Sequence, residues 1–293
     1  MQKKAFVIFF SIVFLARTAT AQFGVFQQGE VGLTIGAANY FGDLNTTADI
    51  TRPKIAIGAY ISHQYNPYVD VRVGAHYAQL GYSDTYSKNF FQQRRNLSFN
   101  TTIIELALQG DFNFFKFEPG EMDHAFTPFI TFGAGVFTYN PYTYLNGQKV
   151  FLRPLGTEGQ NDDFVGPDGK ERKPYGTTAF CFPIGFGVKY ALNTQLNITF
   201  QVTQRLTTTD YIDDVSTTYV GPTLPGGAPS FPNGPGGTLS QAYLLQDRSY
   251  ETGTRIGNTG VQRGWSSQKD QYLIAEIGIS FNLRSYTCPS ASY

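Results

Sequence analysis

Residues 69–76 read VDVRVGAH: Val69, Val71, Val73 and Ala75 alternate with Asp70, Arg72, Gly74 and His76. A period of two marks a strand, whose successive side chains leave opposite faces of the sheet. One face here is aliphatic; the other carries an acid, a base and an imidazole. Which face turns inward decides the fold, because a soluble barrel hides its aliphatic face and a membrane barrel hides its polar one.

The alternation recurs along the chain. Val31, Leu33, Ile35 and Ala37 share a face, as do Ile55, Ile57, Ala59 and Ile61, and Ile104, Leu106 and Leu108. Further runs lie at 127–139, 178–190, 195–208 and 271–283. These make about eight strands of the length a tilted membrane strand needs. The connections 43–52, 83–100, 141–177 and 209–270 are long, 66–68 and 191–194 are short, and 116–126 is intermediate. Alternating long and short connections predict an all-β, antiparallel, up-and-down transmembrane barrel with long external loops and short periplasmic turns. Segments 153–176 and 221–237 have the Gly, Pro and Asp content of coil.

Composition points the same way. Aromatic residues make up 16 %, with 26 Phe and 19 Tyr, while charged residues reach only 15 %, against about 25 % in soluble domains. The chain opens MQKKAFVIFFSIVFLARTATAQ, with Lys3 and Lys4 ahead of an apolar run and Ala19-Thr20-Ala21 at its end. This predicts a secretory leader at 1–21, followed by a barrel at 22–283 and a short periplasmic tail at 284–293. Removing Lys3, Lys4 and Arg17 with the leader leaves 19 bases against 22 acids. No basic patch argues for nucleic acid.

The charged positions orient the faces. Asp70, Arg72, His76, Glu105, Asp111, Lys189, Arg205 and Glu276 all fall on the more polar face of their strands. A set so nearly balanced can pair its charges inside a narrow barrel and leave the apolar faces to lipid, whereas unpaired charges there would be costly. Eight strands enclose only enough room for their own side chains, so a wide pore is not expected. A soluble lipocalin-like barrel is the structural alternative.

Candidate chemistry is sparse. Of His63, His76 and His124, only His76 has carboxylates at hand, Asp84 or Glu105, and an interior polar network explains it better than catalysis. No cofactor is expected. Asp210, Asp213 and Asp214 are weak calcium candidates without helix-loop-helix spacing; otherwise they cap turns at a strand exit, with Tyr211 and Tyr219 suited to the membrane interface. Cys181 starts the sixth strand and Cys288 follows the last, at opposite ends of the barrel and beyond the roughly 7 Å that a disulfide spans. Cys288 is therefore either a thiol that pairs with a periplasmic partner or an incidental one. Asn66, Pro67 and Tyr68 form the tightest periplasmic turn and a second partner-facing site.

Two stretches are more distinctive. EVGLTIGAANYFGDL (30–44) ends a Gly-rich strand in Tyr-x-Gly-Asp-Leu, and TDYIDDVSTTY (209–219) marks a late strand-to-loop passage. With the leader ending in Ala-Gln and the Cys288-Pro289 tail, they resemble the PorG-like outer-membrane barrels of the Bacteroidetes type IX secretion system. That resemblance implies a non-enzymatic outer-membrane component with both termini periplasmic; the alternatives are an OmpA/OmpX-like structural barrel, a surface binding protein acting through loops 141–177 and 210–270, or a small-solute channel. The resemblance also implies contact with the periplasmic ring lipoprotein and other secretion components, the lipoprotein then being the expected partner of Cys288.

Overall fold

In a computed structural model, the described residues are 28–162, 164–222, 230, 231, 233 and 238–284. The leader, Cys288 and the rest of the tail beyond Arg284 lie outside them. Ten strands form one antiparallel sheet. In chain order they are β1 (Gln28–Phe41), β2 (Lys54–Asn66), β3 (Val69–Ser83), β4 (Ser98–Asn113), β5 (Phe126–Thr138), β6 (Tyr142–Leu145), β7 (Gln148–Phe151), β8 (Thr178–Ala191), β9 (Leu196–Thr207) and β10 (Gln271–Arg284). Eight of them close in the order β3-β2-β1-β10-β9-β8-β5-β4, with β3 returning to β4. Closure gives each of the eight wall strands a neighbour on both sides, as a wall in hydrocarbon requires.

The faces fall as the charge argument expects. Leu33, Ile35, Leu106, Phe132, Phe186 and Ile279 point outward, and Leu33 is 68 % exposed. Inward positions carry the charges, and Arg205 is fully buried. Water would meet an unbroken aliphatic and aromatic wall, which only a lipid environment makes favourable. The pairing keeps the alternation in phase round the barrel: Ile35 lies opposite Ile57 on one side and Ile277 on the other. Pro183 sits in mid-β8 without an N–H to give. The β5–β8 ladder is interrupted there, between the pairs Phe132–Ile184 and Gly135–Cys181.

The barrel has two unlike ends. At one, strands turn tightly: Asn66 Oδ1 accepts the Tyr68 N–H at 2.9 Å, and Asn193 Oδ1 accepts those of Gln195 and Leu196, side-chain mimics of a backbone turn. At the other end, four long connections fold over the mouth. Strands β6 and β7 add to the eight expected, as a hairpin that continues along β4 through the pair Asn100–Tyr142. Asn146 and Gly147 turn it with φ of 52° and 78°, the positive φ pair of a type I′ turn, which Asn-Gly favours. Two short helices, α1 (Phe90–Arg95) and α2 (Gln241–Gln246), complete the cap. Asn89 caps α1 by accepting the Phe91 N–H, and Asn96 closes it in the left-handed region. Inside the mouth, Leu44, Leu80, Phe99, Ile103, Ile212 and Leu245 belong to one buried apolar cluster, so cap and barrel share a core.

Candidate functional site

Two polar assemblies lie within this frame: a charged column in the lumen and a carboxylate cluster in the cap. The column starts near the tight-turn end, where Lys189 Nζ lies 2.7 Å from Asp70 and 3.0 Å from Asp111. Arg72 stands 3.4 Å from Asp111 and donates to Gln201 Oε1 at 2.9 Å. Gln201 donates in turn to Glu276. His76 sits between two carboxylates, Nδ1 at 3.2 Å from Glu105 and Nε2 at 3.5 Å from Glu276. Glu105 is the hub: Arg205 approaches at 3.3 Å, Tyr272 donates at 2.5 Å and the Cys181 thiol lies 3.8 Å away. These side chains fill the lumen, and each buried charge has an opposite within reach, the condition under which buried ions are tolerated.

The cap cluster is built by the strand exits. Tyr40, at the top of β1, places its hydroxyl 2.6 Å from Asp213 Oδ2 and 2.8 Å from Asp270 Oδ1. A phenol has one proton to give, so holding both acids needs a second proton, on one of the two carboxyls. The other oxygens are committed to backbone: Asp213 Oδ1 accepts the Val215 N–H and Asp270 Oδ2 that of Ile212. Burial, then each other's charge or that of Asp210, drives both acids well above the ordinary carboxylate range. Burial likewise raises Asp43 to about 6 and Asp210 to about 7. Two arginines hold the surrounding loops. Arg95 forks onto Asp84 at 2.7 and 2.8 Å and donates to the backbone carbonyls of Asp43 and Arg263. Arg263 lies 2.9 Å from Glu158 and 3.7 Å from Asp214.

Residues 3–152, just over half of the chain, match the family model described as Domain of unknown function (DUF6089). The chain belongs to the DUF6089 family. The DUF6089 match runs through β7 and stops before β8, so it holds Asp70, Arg72, His76, Glu105 and Asp111 but not their partners Lys189, Arg205 and Glu276. No curated protein matches the chain significantly. Among solved structures the chain is similar to Neisserial surface protein A, at 9 % identity and TM-score 0.38, over 87 % of this chain and 96 % of that one. The attachment invasion locus protein Ail of Yersinia pestis is similar at 8 % identity and TM-score 0.35, over 87 % and 98 %. The N-terminal barrel domain of Pseudomonas aeruginosa OprF follows at 10 % identity and TM-score 0.33, over 87 % and 97 %.

All eight residues assigned to the lumen from the sequence of this DUF6089 member are buried there and interconnected. Glu30, Asn197 and Ser280 extend the column below them; their inward parity in β1, β9 and β10 was the signal available for them. The three aspartates of 210–214 are not an open ligand set. Asp210 accepts from Ser216, Asp213 from Tyr40, and Asp214 from Thr157 and Tyr175, so their oxygens diverge into the cap. Tyr211 and Tyr219 are not at a membrane interface either: Tyr211 stacks on Tyr175 at 4.4 Å and Tyr219 is fully buried. The loops that fold over the mouth enclose both rings, Tyr211 packing against the apolar cluster there. Asp84, considered beside His76, belongs to Arg95 instead. Asn66, Pro67 and Tyr68 lie at the tight-turn end with Tyr68 exposed. Nearby, Glu118, Glu121 and His124 each bring one donor atom within 4.8 Å of the others, a partly exposed set of the ligand types that a divalent cation takes.

Proposed function

We propose that the chain is a closed, non-conducting and non-catalytic outer-membrane barrel that works as an anchor, offering a folded cap on one side of the membrane and tight turns on the other. The observation carrying this reading is the charged column: Lys189, Arg72, Glu105 and Arg205 cross the lumen in mutually paired positions. An aqueous path would have to part and hydrate side chains that are now paired across the lumen. The barrel reconstituted in planar bilayers should therefore show no single-channel steps. Stable ohmic conductance, abolished by extra bulk at Lys189 or Gln201, would overturn the anchor reading in favour of a small-solute channel.

A finer reading follows from the resemblance to PorG-like barrels: the anchor serves type IX secretion and meets the periplasmic ring lipoprotein through the turns 66–68, 116–126 and 191–194 and through the tail. Support comes from the meeting of the two resembling stretches in one place, since Tyr40 and Asp43 of the first pack with Asp210 and Asp213 of the second. Cys288 is the proposed covalent contact. Co-purification from membranes tests the role, and a reducible adduct lost in Cys288→Ser tests the contact. Capture of no secretion component would remove this finer reading and leave the anchor.

A further inference from the structure

We propose that a pocket on the outer wall, at the rim nearest the long loops, binds the phosphate of an anionic lipid headgroup in the surrounding leaflet. The pocket encloses about 400 Å³ and is lined by Arg52, Lys54, Ser83, Tyr86, Ser98 and Asn100, among others. Gly81 makes room for it. A Cβ there would lie 2.9 Å from Lys54 Nζ and 2.8 Å from Asn100 Oδ1, so Lys54 crosses the outer wall where a side chain is missing. Its ammonium donates to Asn100 Oδ1 at 2.6 Å, and the Arg52 guanidinium lies over the Tyr86 ring at 4.3 Å.

Neither cation forms an ion pair among the described residues. Asp49, whose charge reaches Arg52, already accepts the Thr51 N–H and the Tyr82 hydroxyl. The pocket lining holds both cations and no carboxylate, so its walls carry positive charge, with Asp49 outside the lining. A phosphate monoester suits it, because a guanidinium fork, an ammonium and nearby hydroxyls can share its oxygens.

Position selects the source of the phosphate. Outward residues of β3 run Tyr77, Gln79, Gly81, Ser83, and those of β4 run Ile104, Thr102, Asn100, Ser98. The apolar belt ends at Tyr77 and Ile104, and Gly81 and Asn100 come four residues later, about 13 Å along the strand. With the tilt of a barrel strand this is headgroup depth. The pocket opens on the lipid-facing wall just above the belt. The inference rests on the chain spanning a membrane and is independent of any secretion role.

The test uses the full chain folded in detergent micelles, titrated with bis-phosphorylated lipid A, with the same lipid after phosphatase treatment, and with inorganic phosphate alone. Bound ligand is read by native mass spectrometry. The phosphorylated lipid should bind about tenfold or more tightly than the dephosphorylated one, and Arg52→Gln with Lys54→Gln should remove that advantage. Equal binding of the two lipids, or an unchanged preference in the double variant, would overturn the site. Inorganic phosphate binding as tightly as the phosphorylated lipid would overturn the lipid assignment. Should the double variant fail to fold, Ser83→Asp sets a carboxylate at the pocket mouth while keeping both cations, and an aspartate can still accept the Thr85 N–H that the Ser83 hydroxyl accepts. It should produce the same loss, and an unchanged preference there also overturns the site.

Discussion

Replacing Asp213 by Asn should strengthen the cap against alkali. The two carboxylate oxygens on Tyr40 stand 2.6 and 2.8 Å from its hydroxyl, hence roughly 5 Å apart, and at an effective dielectric of about 20 two like charges at that separation repel by about 3 kcal/mol. The sign follows from the raised carboxyls. Asp43 and Asp214 lie at about 6 and Asp210 at about 7, with Asp213 and Asp270 raised well beyond the ordinary range. A folded state that holds protons more tightly than the unfolded chain is favoured below the ordinary carboxylate range and loses that stability as pH climbs through these raised values. Arg95, Arg263 and Lys269 offset part of the repulsion, and Glu158 adds to it. In Asp213→Asn the amide oxygen can keep the Val215 N–H, the amide nitrogen can donate to the phenol, and the phenol can give its proton to an ionised Asp270. No second proton is then needed.

Limited proteolysis of the long β9–β10 connection, with the barrel held in vesicles, reads the effect. Wild type should open progressively between about pH 5 and pH 9, while Asp213→Asn should resist by up to about a hundredfold more at the alkaline end. Asp213→Asn with Asp270→Asn should be worse than either alone, because two amide nitrogens then face the phenol and its proton has no acceptor. Identical pH profiles for wild type and Asp213→Asn would refute the shared-proton account.

Other outcomes follow from the wall and the column. Glu105→Ala strands Arg205 in the lumen and should lower unfolding stability by about 3–5 kcal/mol, measured by urea titration in vesicles. Leu106→Arg, on the outward face of β4, should cost about 2–4 kcal/mol in the same titration, the range for a cation near the bilayer midplane. Cys181, fully buried beside Glu105, should react with a membrane-impermeant maleimide only after denaturation; rapid labelling of the folded barrel would mean that water reaches the column.

The wall was legible because alternation is a local property. Val69 to His76 announces two faces without reference to any other segment, and the balance of charge among the polar positions tells which face goes in. The hairpin is legible too, since Asn146-Gly147 between Tyr144 and Lys149 is a strong turn signal, though the coil composition of 153–176 that follows makes the whole connection look irregular. The cap was not legible. Asp, Ser and Thr in long loops read as solvated turns, and only folding brings Arg263 to Arg95 across 168 positions and Asp270 to Tyr40 across 230. Nothing local distinguishes an aspartate that faces water from one that shares a buried proton.

The column also constrains how the barrel can enter a membrane. Asp70 finds Lys189 only 119 residues later, and Glu105 waits 100 residues for Arg205. A half-barrel of β1 to β5 would hold Asp70, Glu105 and Asp111 with only Arg72 and His76 to answer them, and each acid left unpaired towards lipid would cost several kcal/mol. Stepwise insertion, hairpin after hairpin, is therefore costly until Lys189 and Arg205 arrive. An inner face kept in water until β8, β9 and β10 arrive avoids that cost, so the pairs favour closing the barrel before its lumen dries.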